Sequence, residues 1–167
     1  MADVRVEHPF SAPRAILSLA GLVPLVAIAT LVVGRPYLGI LIGCALFLTY
    51  RLVIVPWTFL AAHRRGVREV RARRIEWALE AFRDSESFFR AHAWLDRGRW
   101  LFLASGLPLS YQALARYNQV YCLAELGRKS EAQAVLASLK GEGVPNLVQL
   151  ERYVATIQER PPEEWKI

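Results

Sequence analysis

The chain has little with which to do covalent or metal chemistry: 167 residues include two cysteines and three histidines. Cys44 lies in an apolar run and Cys122 in an apolar helical pattern, so a disulfide would have to join two dissimilar segments. Both read instead as small buried hydrophobes. His8, His63 and His92 fall in three unrelated regions, whereas nucleophilic catalysis needs a converging nucleophile, base and orienting group. His92 and Asp96 stand four apart on an expected helix, but zinc requires a third and fourth ligand, which makes a surface hydrogen bond the better account. No Walker-type loop, GxGxxG or GxSxG occurs. The expectation is a non-enzymatic protein with no catalytic residues, no cofactor and no metal.

A second scarcity is charge over long stretches. From Ala15 to Val33 nineteen residues carry none, and from Pro36 to Ala62 the only charge is Arg51. Each run can cross a hydrocarbon core of about 30 Å at 1.5 Å per residue. The first could instead be a secretory leader with Ala27-Ile28-Ala29 as its cleavage site, but Asp3, Glu7, Pro9 and Pro13 make a poor basic n-region. Between the runs lies only Gly34-Arg35-Pro36, a turn that serves as the tip of a hairpin. The predicted domains are therefore 1–62, an N-terminal tail and transmembrane hairpin with spans at about 15–33 and 37–60, and 63–167, a soluble helical domain.

Basic charge is concentrated where the second span ends. Residues 63–74 hold six arginines, Arg64, Arg65, Arg68, Arg71, Arg73 and Arg74, against Glu69, while 75–167 hold eleven basic and twelve acidic residues. By the positive-inside rule this places both termini and the soluble domain in the cytoplasm, with Arg35 alone on the far side. Juxtamembrane clusters of this size attract anionic headgroups at about 1 kcal/mol per residue, so the six are candidate lipid contacts. Nucleic acid is not expected, because DNA binding would also want base-reading or aromatic elements in the domain.

Within the second span, Gly39 and Gly43 form a GxxxG pair that lets another helix approach closely, either the first span or a second copy of the chain. Arg51 lies about 21 Å along the helix from Tyr37. It either snorkels to the inner headgroups or makes a buried contact within the hairpin or to a partner. Neither span carries paired carboxylates or a histidine relay, which argues against transport by this chain alone.

Beyond the arginines the pattern is helical. Ile75, Ala78, Leu79, Phe82, Phe88 and Phe89 recur at three- and four-residue spacing. A second helix reads from Ser110, a suitable N-cap, to Leu126 before Gly127, and a third from about Ser130 to Leu139. A fourth begins near Pro145 with Leu147, Leu150, Val154 and Ile157 on one stripe, and Pro161-Pro162 ends it. An all-α protein follows.

The segment Tyr117 to Ala132 resembles a tetratricopeptide repeat: Gly127 provides the turn and Ala132, five residues on, the small residue over which the second helix packs, with Leu136 and Leu139 following. Gly66, Ala78 and Phe82 repeat the family's small-small-aromatic spacing upstream, with Arg73 where the turn glycine is expected. The copies are 54 residues apart instead of 34, so about 20 residues are inserted around His92 to Trp100. That insertion, with Phe88, Phe89, Trp94, Trp100 and Phe102, is expected to supply core, and the helix after Pro145 a cap. The resemblance implies a peptide-binding concave face carrying Tyr117, Asn118, Tyr121 and Glu125. It also implies a membrane-anchored scaffold for protein partners, with an accessory subunit of a larger membrane complex, working through the hairpin, as the alternative.

Overall fold

The computed structural model describes residues 21–103, 105, 109–142, 144 and 146–158, and every helix expected within them is present without a strand. The chain is all-α. The described residues divide into two compact units, one built from 21–61 together with 93–103 and 105, the other from 62–92 and those from 109 onward.

In the first unit α1 (Leu22–Val33) and α2 (Pro36–Trp57) run antiparallel along each other. Gly34 reverses the chain in the left-handed region at φ 68°, and Pro36 opens α2, where its missing N–H costs nothing. At 22 residues α2 is long and apolar enough to cross a membrane. The described part of the expected first span is a 12-residue apolar helix, too short to cross alone, and residues 15–20 lie outside the described set.

Near its end α2 loosens into a π turn over Tyr50–Ile54. Pro56 has no N–H to return to Leu52, and the Val55 N–H reaches back five residues to the Tyr50 carbonyl. The helix stops at Trp57 instead of continuing to residue 60; the Thr58 hydroxyl donates to the Ile54 carbonyl at 2.6 Å. Two short helices, α5 (Ala93–Arg97) and α6 (Arg99–Phe102), belong to this unit.

The second unit contains α3 (Ala61–Arg71, of which Ala61 belongs to the first unit), α4 (Ile75–Ala91), α7 (Tyr111–Glu125), α8 (Lys129–Leu139) and α9 (Leu147–Thr156). Helices α3 and α4 turn at Arg73, which takes the left-handed φ of 61° at the place where a glycine was expected. Helices α7 and α8 turn at Gly127, φ 74°, and the Ser110 side chain caps α7 by accepting from the Ala113 N–H at 3.0 Å. The core joins Ala78, Leu79 and Phe82 of α4 to Val120 and Leu123 of α7, Ala132, Leu136 and Leu139 of α8, and Leu150 and Val154 of α9. Gly66 lets α3 lie on the Phe82 ring: a Cβ there would stand 2.7 Å from it. Lys129 fixes α9 by donating to the Ala155 and Ile157 carbonyls at 3.0 and 3.1 Å, satisfying the end of that helix.

The aromatic insertion does not fill this core. Phe89 does, fully buried and stacked on Tyr111 at 5.1 Å, but Trp94, Trp100 and Phe102 fold with the α1–α2 pair. The volume expected from them is supplied by the apolar stripe of α9 and by Leu109 and Val144.

Candidate functional site

Gly39 and Gly43 are both buried against α1. A Cβ on Gly39 would lie 2.3 Å from the Thr30 Cα, and one on Gly43 2.7 Å from the Val26 Cα, so backbone meets backbone along this seam. With α1 already seated on both glycines, self-association would have to use another face. Arg51 is half-buried inside the π turn.

The arginine cluster is partly consumed by the domain's own acids. Arg74 Nε lies 2.6 Å from Glu69 Oε2, Arg68 Nε lies 3.9 Å from Glu69 Oε1, and Arg65 pairs with Asp84. All six arginines remain exposed. The six therefore do not act as one uniform patch: three pair with acids of the domain, Arg65 joining α3 to the middle of α4 and Arg74 joining the start of α4 back to Glu69.

The four residues expected on a concave face all lie on α7, and each has a different environment. Tyr117 is buried in the core with its hydroxyl desolvated, which raises the phenol pKa. Asn118 is half-buried. Tyr121 stacks on Tyr153 of α9 at 5.9 Å, and the Tyr153 hydroxyl donates to Glu125 Oε1. Burial raises both Tyr121 and Tyr153, and the neighbouring Glu125 carboxylate adds to each shift. Helix α9 thus occupies two of the positions at which a peptide was expected.

A different surface is open. Arg65, Glu69, Arg74, Trp77, Glu80 and Asp84 line a cleft of about 450 Å³. Trp77 is 65% exposed on α4, opposite the stripe of Ala78, Leu79 and Phe82 that enters the core. With three carboxylates against two guanidiniums the lining is net acidic, and an indole face beside it suits a cation. Sequence pattern carried a signal here: Trp77 stands off the apolar face of its own helix, flanked by Glu76 and Glu80.

His63 reaches into the core, edge-on to Phe82 at 5.3 Å, with its Nδ1 3.4 Å from the Ser85 hydroxyl. Burial pushes its pKa down to about 4, so it is neutral at physiological pH. Burial also pushes the Cys122 thiol up to about 12, and Cys44 and Cys122 are both free. His92 stacks on Phe88 at 4.5 Å while its Nδ1 meets the Phe88 carbonyl at 2.9 Å. Among the described residues no three potential metal ligands converge.

No family model, curated protein or solved structure matches this chain. Function must therefore be argued from its own geometry.

Proposed function

We propose that the protein is a membrane-anchored adaptor whose helical domain, tetratricopeptide-like in its paired hairpins, recruits a protein partner at the cytoplasmic face. The anchor is the α1–α2 pair, read as a two-span hairpin. Its support is the length and apolarity of α2, the close glycine seam, and the concentration of arginine directly after the second run. Gly127 and Ala132 at the repeat's spacing, together with the left-handed Arg73 in the matching turn, support the domain reading.

The observation that carries recruitment is Trp77, exposed over a net-acidic cleft while the core beneath it is complete. An aromatic anchor ringed by polar groups is the commonest form of a binding hot spot. Its charge fits a basic segment of the partner, with a lysine or arginine over the indole. The test is affinity capture from mild detergent with the full chain and with Trp77→Ala. A specific partner lost with Trp77→Ala supports the reading; identical partners from both chains defeat the assignment of the cleft.

A second reading rests on the π turn around Arg51, an irregular, charged stretch in an otherwise apolar helix. Such a site suits contact with another membrane subunit. Exchanging the hairpin for an unrelated one separates the two readings: retained partner capture favours the adaptor, and loss with intact insertion favours the accessory subunit.

A further inference from the structure

We infer that residues 93–103 form an interfacial wedge, embedded in the lipid leaflet beside the base of the α1–α2 pair. The inference rests on the membrane reading proposed above. Helices α5 and α6 are five and four residues long, far below the length at which a helix holds itself in water. They meet at Gly98, whose N–H donates to the Trp94 carbonyl and whose carbonyl accepts from Leu101 and Phe102. Trp94 and Phe102 close over that joint edge to face at 5.1 Å, where a Cβ on Gly98 would come within 2.7 Å of the Phe102 ring.

The wedge is fastened to α2 at a definite depth. The Tyr50 hydroxyl donates to the Phe102 carbonyl, and Leu101 lies against Gly21 at the start of α1. Tyr50 is about 21 Å along α2 from Pro36 and about 10 Å short of Trp57. Amphipathic elements lying in the membrane boundary sit about 5–10 Å into it, which is the level this attachment sets.

Its faces divide accordingly. Leu95 and Leu103 are buried within the protein, while Trp94 (56% exposed), Trp100, Leu101 and Phe102 point outward. In water four large apolar side chains within nine residues would leave a continuous exposed patch. On α2, Leu46, Leu52 and Val53, close in sequence to the anchoring Tyr50, also face outward, on the helix that the membrane reading assigns to lipid. Tryptophan is favoured at this level, and the exposed Arg97 sits between Trp94 and Trp100, long enough to reach anionic headgroups.

The test uses the full chain in vesicles of phosphatidylcholine and phosphatidylglycerol. Chains keep a single tryptophan at position 57, 77, 94 or 100, with phenylalanine at the other three and at 165, and are read by quenching with phosphatidylcholine brominated near the headgroup or near the chain ends, and with aqueous acrylamide. The wedge requires that Trp94 and Trp100 lose most of their emission to the shallow bromines and that Trp77 respond to acrylamide instead. Quenching of Trp57 by bromine without any at Trp94 or Trp100 overturns the wedge and leaves the anchor standing. Protection of Trp94 and Trp100 from both quenchers overturns it as well and places a second copy of the chain there. Absence of bromine quenching at Trp57 too defeats the membrane reading along with the wedge. A nitroxide on Leu101→Cys, in a chain with Cys44→Ala and Cys122→Ala and all tryptophans kept, gives the same decision. Relaxation by oxygen over a water-soluble nickel chelate supports the wedge, and the reverse overturns it.

Discussion

In the helical domain the large apolar side chains of α4, α7, α8 and α9 turn toward one another, and Phe82, Leu123, Leu139 and Leu150 are almost fully enclosed. In the α1–α2 pair the same residue types turn outward: Leu31 and Val32 are about four-fifths exposed, and Leu41, Leu46 and Leu52 are exposed along α2. Along the seam between the two helices the enclosed residues are small, Ala29, Gly39 and Gly43, and the large side chains enclosed on α2 are Phe47 and Val55 toward its end. The domain is held by apolar volume removed from water, at about 25 cal/mol per Å². In the α1–α2 pair backbone meets backbone at Gly39 and Gly43, the mode of association that the proposed membrane anchor would use. The two units thus differ in how their helices meet, side-chain volume in one and close backbone approach in the other.

The sharpest way to break this contrast is to remove volume from the domain. Phe82→Ala should cost the domain about 3–5 kcal/mol, through lost transfer energy and the cavity left beneath Gly66 and His63. Denaturant unfolding in detergent, followed by near-ultraviolet circular dichroism, would measure it; an unchanged midpoint would mean that α3 closes over the gap.

The next effect comes from pH. Folded His63 resists protonation down to about 4, whereas the unfolded chain takes the proton near 6.5. Domain stability should therefore be full above pH 6.5 and fall as the pH drops toward 4, by on the order of 3 kcal/mol over that window. His63→Gln should flatten the slope in a pH series of unfolding midpoints, and an equally steep slope in that variant would assign the acid sensitivity to other groups.

In the hairpin the damaging change is addition of volume. Gly43→Leu would drive a side chain into the Val26 backbone and should cost roughly 1–3 kcal/mol of helix association. Energy transfer between probes on α1 and α2 would report the opening, while the domain's unfolding midpoint should hold. The smallest expected effect on stability is at the cleft: Trp77→Ala should shift the midpoint by less than about 0.5 kcal/mol, because the indole is 65% exposed. Partner capture, in contrast, should be lost.

The helices were readable because local signals agreed with one another. Ser110 as N-cap, Gly127 as stop, and the stripe of Leu147, Leu150 and Val154 appear in the structure where capping and periodicity put them, although the last helix ends at Thr156, short of the expected Pro161-Pro162, and leaves Ile157 extended beyond it. The candidate site was less legible. Tyr121 and Glu125 were placed on the correct helix, but α9 occupies them through Tyr153, a partner 28 residues away from Glu125 that no local pattern announces. Gly39 and Gly43 offered two partners, and only the fold shows α1 against them. Trp94 and Trp100 carried the right chemistry and the wrong expected neighbour, since apolarity tells that a side chain avoids water but not which surface covers it.

By itself, the sequence determined the all-α class, the positions of the turns, the apolar runs and the placement of basic charge after the second run. These follow from backbone preference, periodicity and charge, all of which act over a few residues. Tertiary structure alone decided that α9 caps Tyr121 and Glu125, that α1 fills the glycine seam, that residues 93–103 fold with the hairpin, and that Trp77 stands over an open acidic cleft. Those outcomes depend on contacts between residues far apart in the chain, where shape complementarity selects among faces that are equally apolar in the sequence.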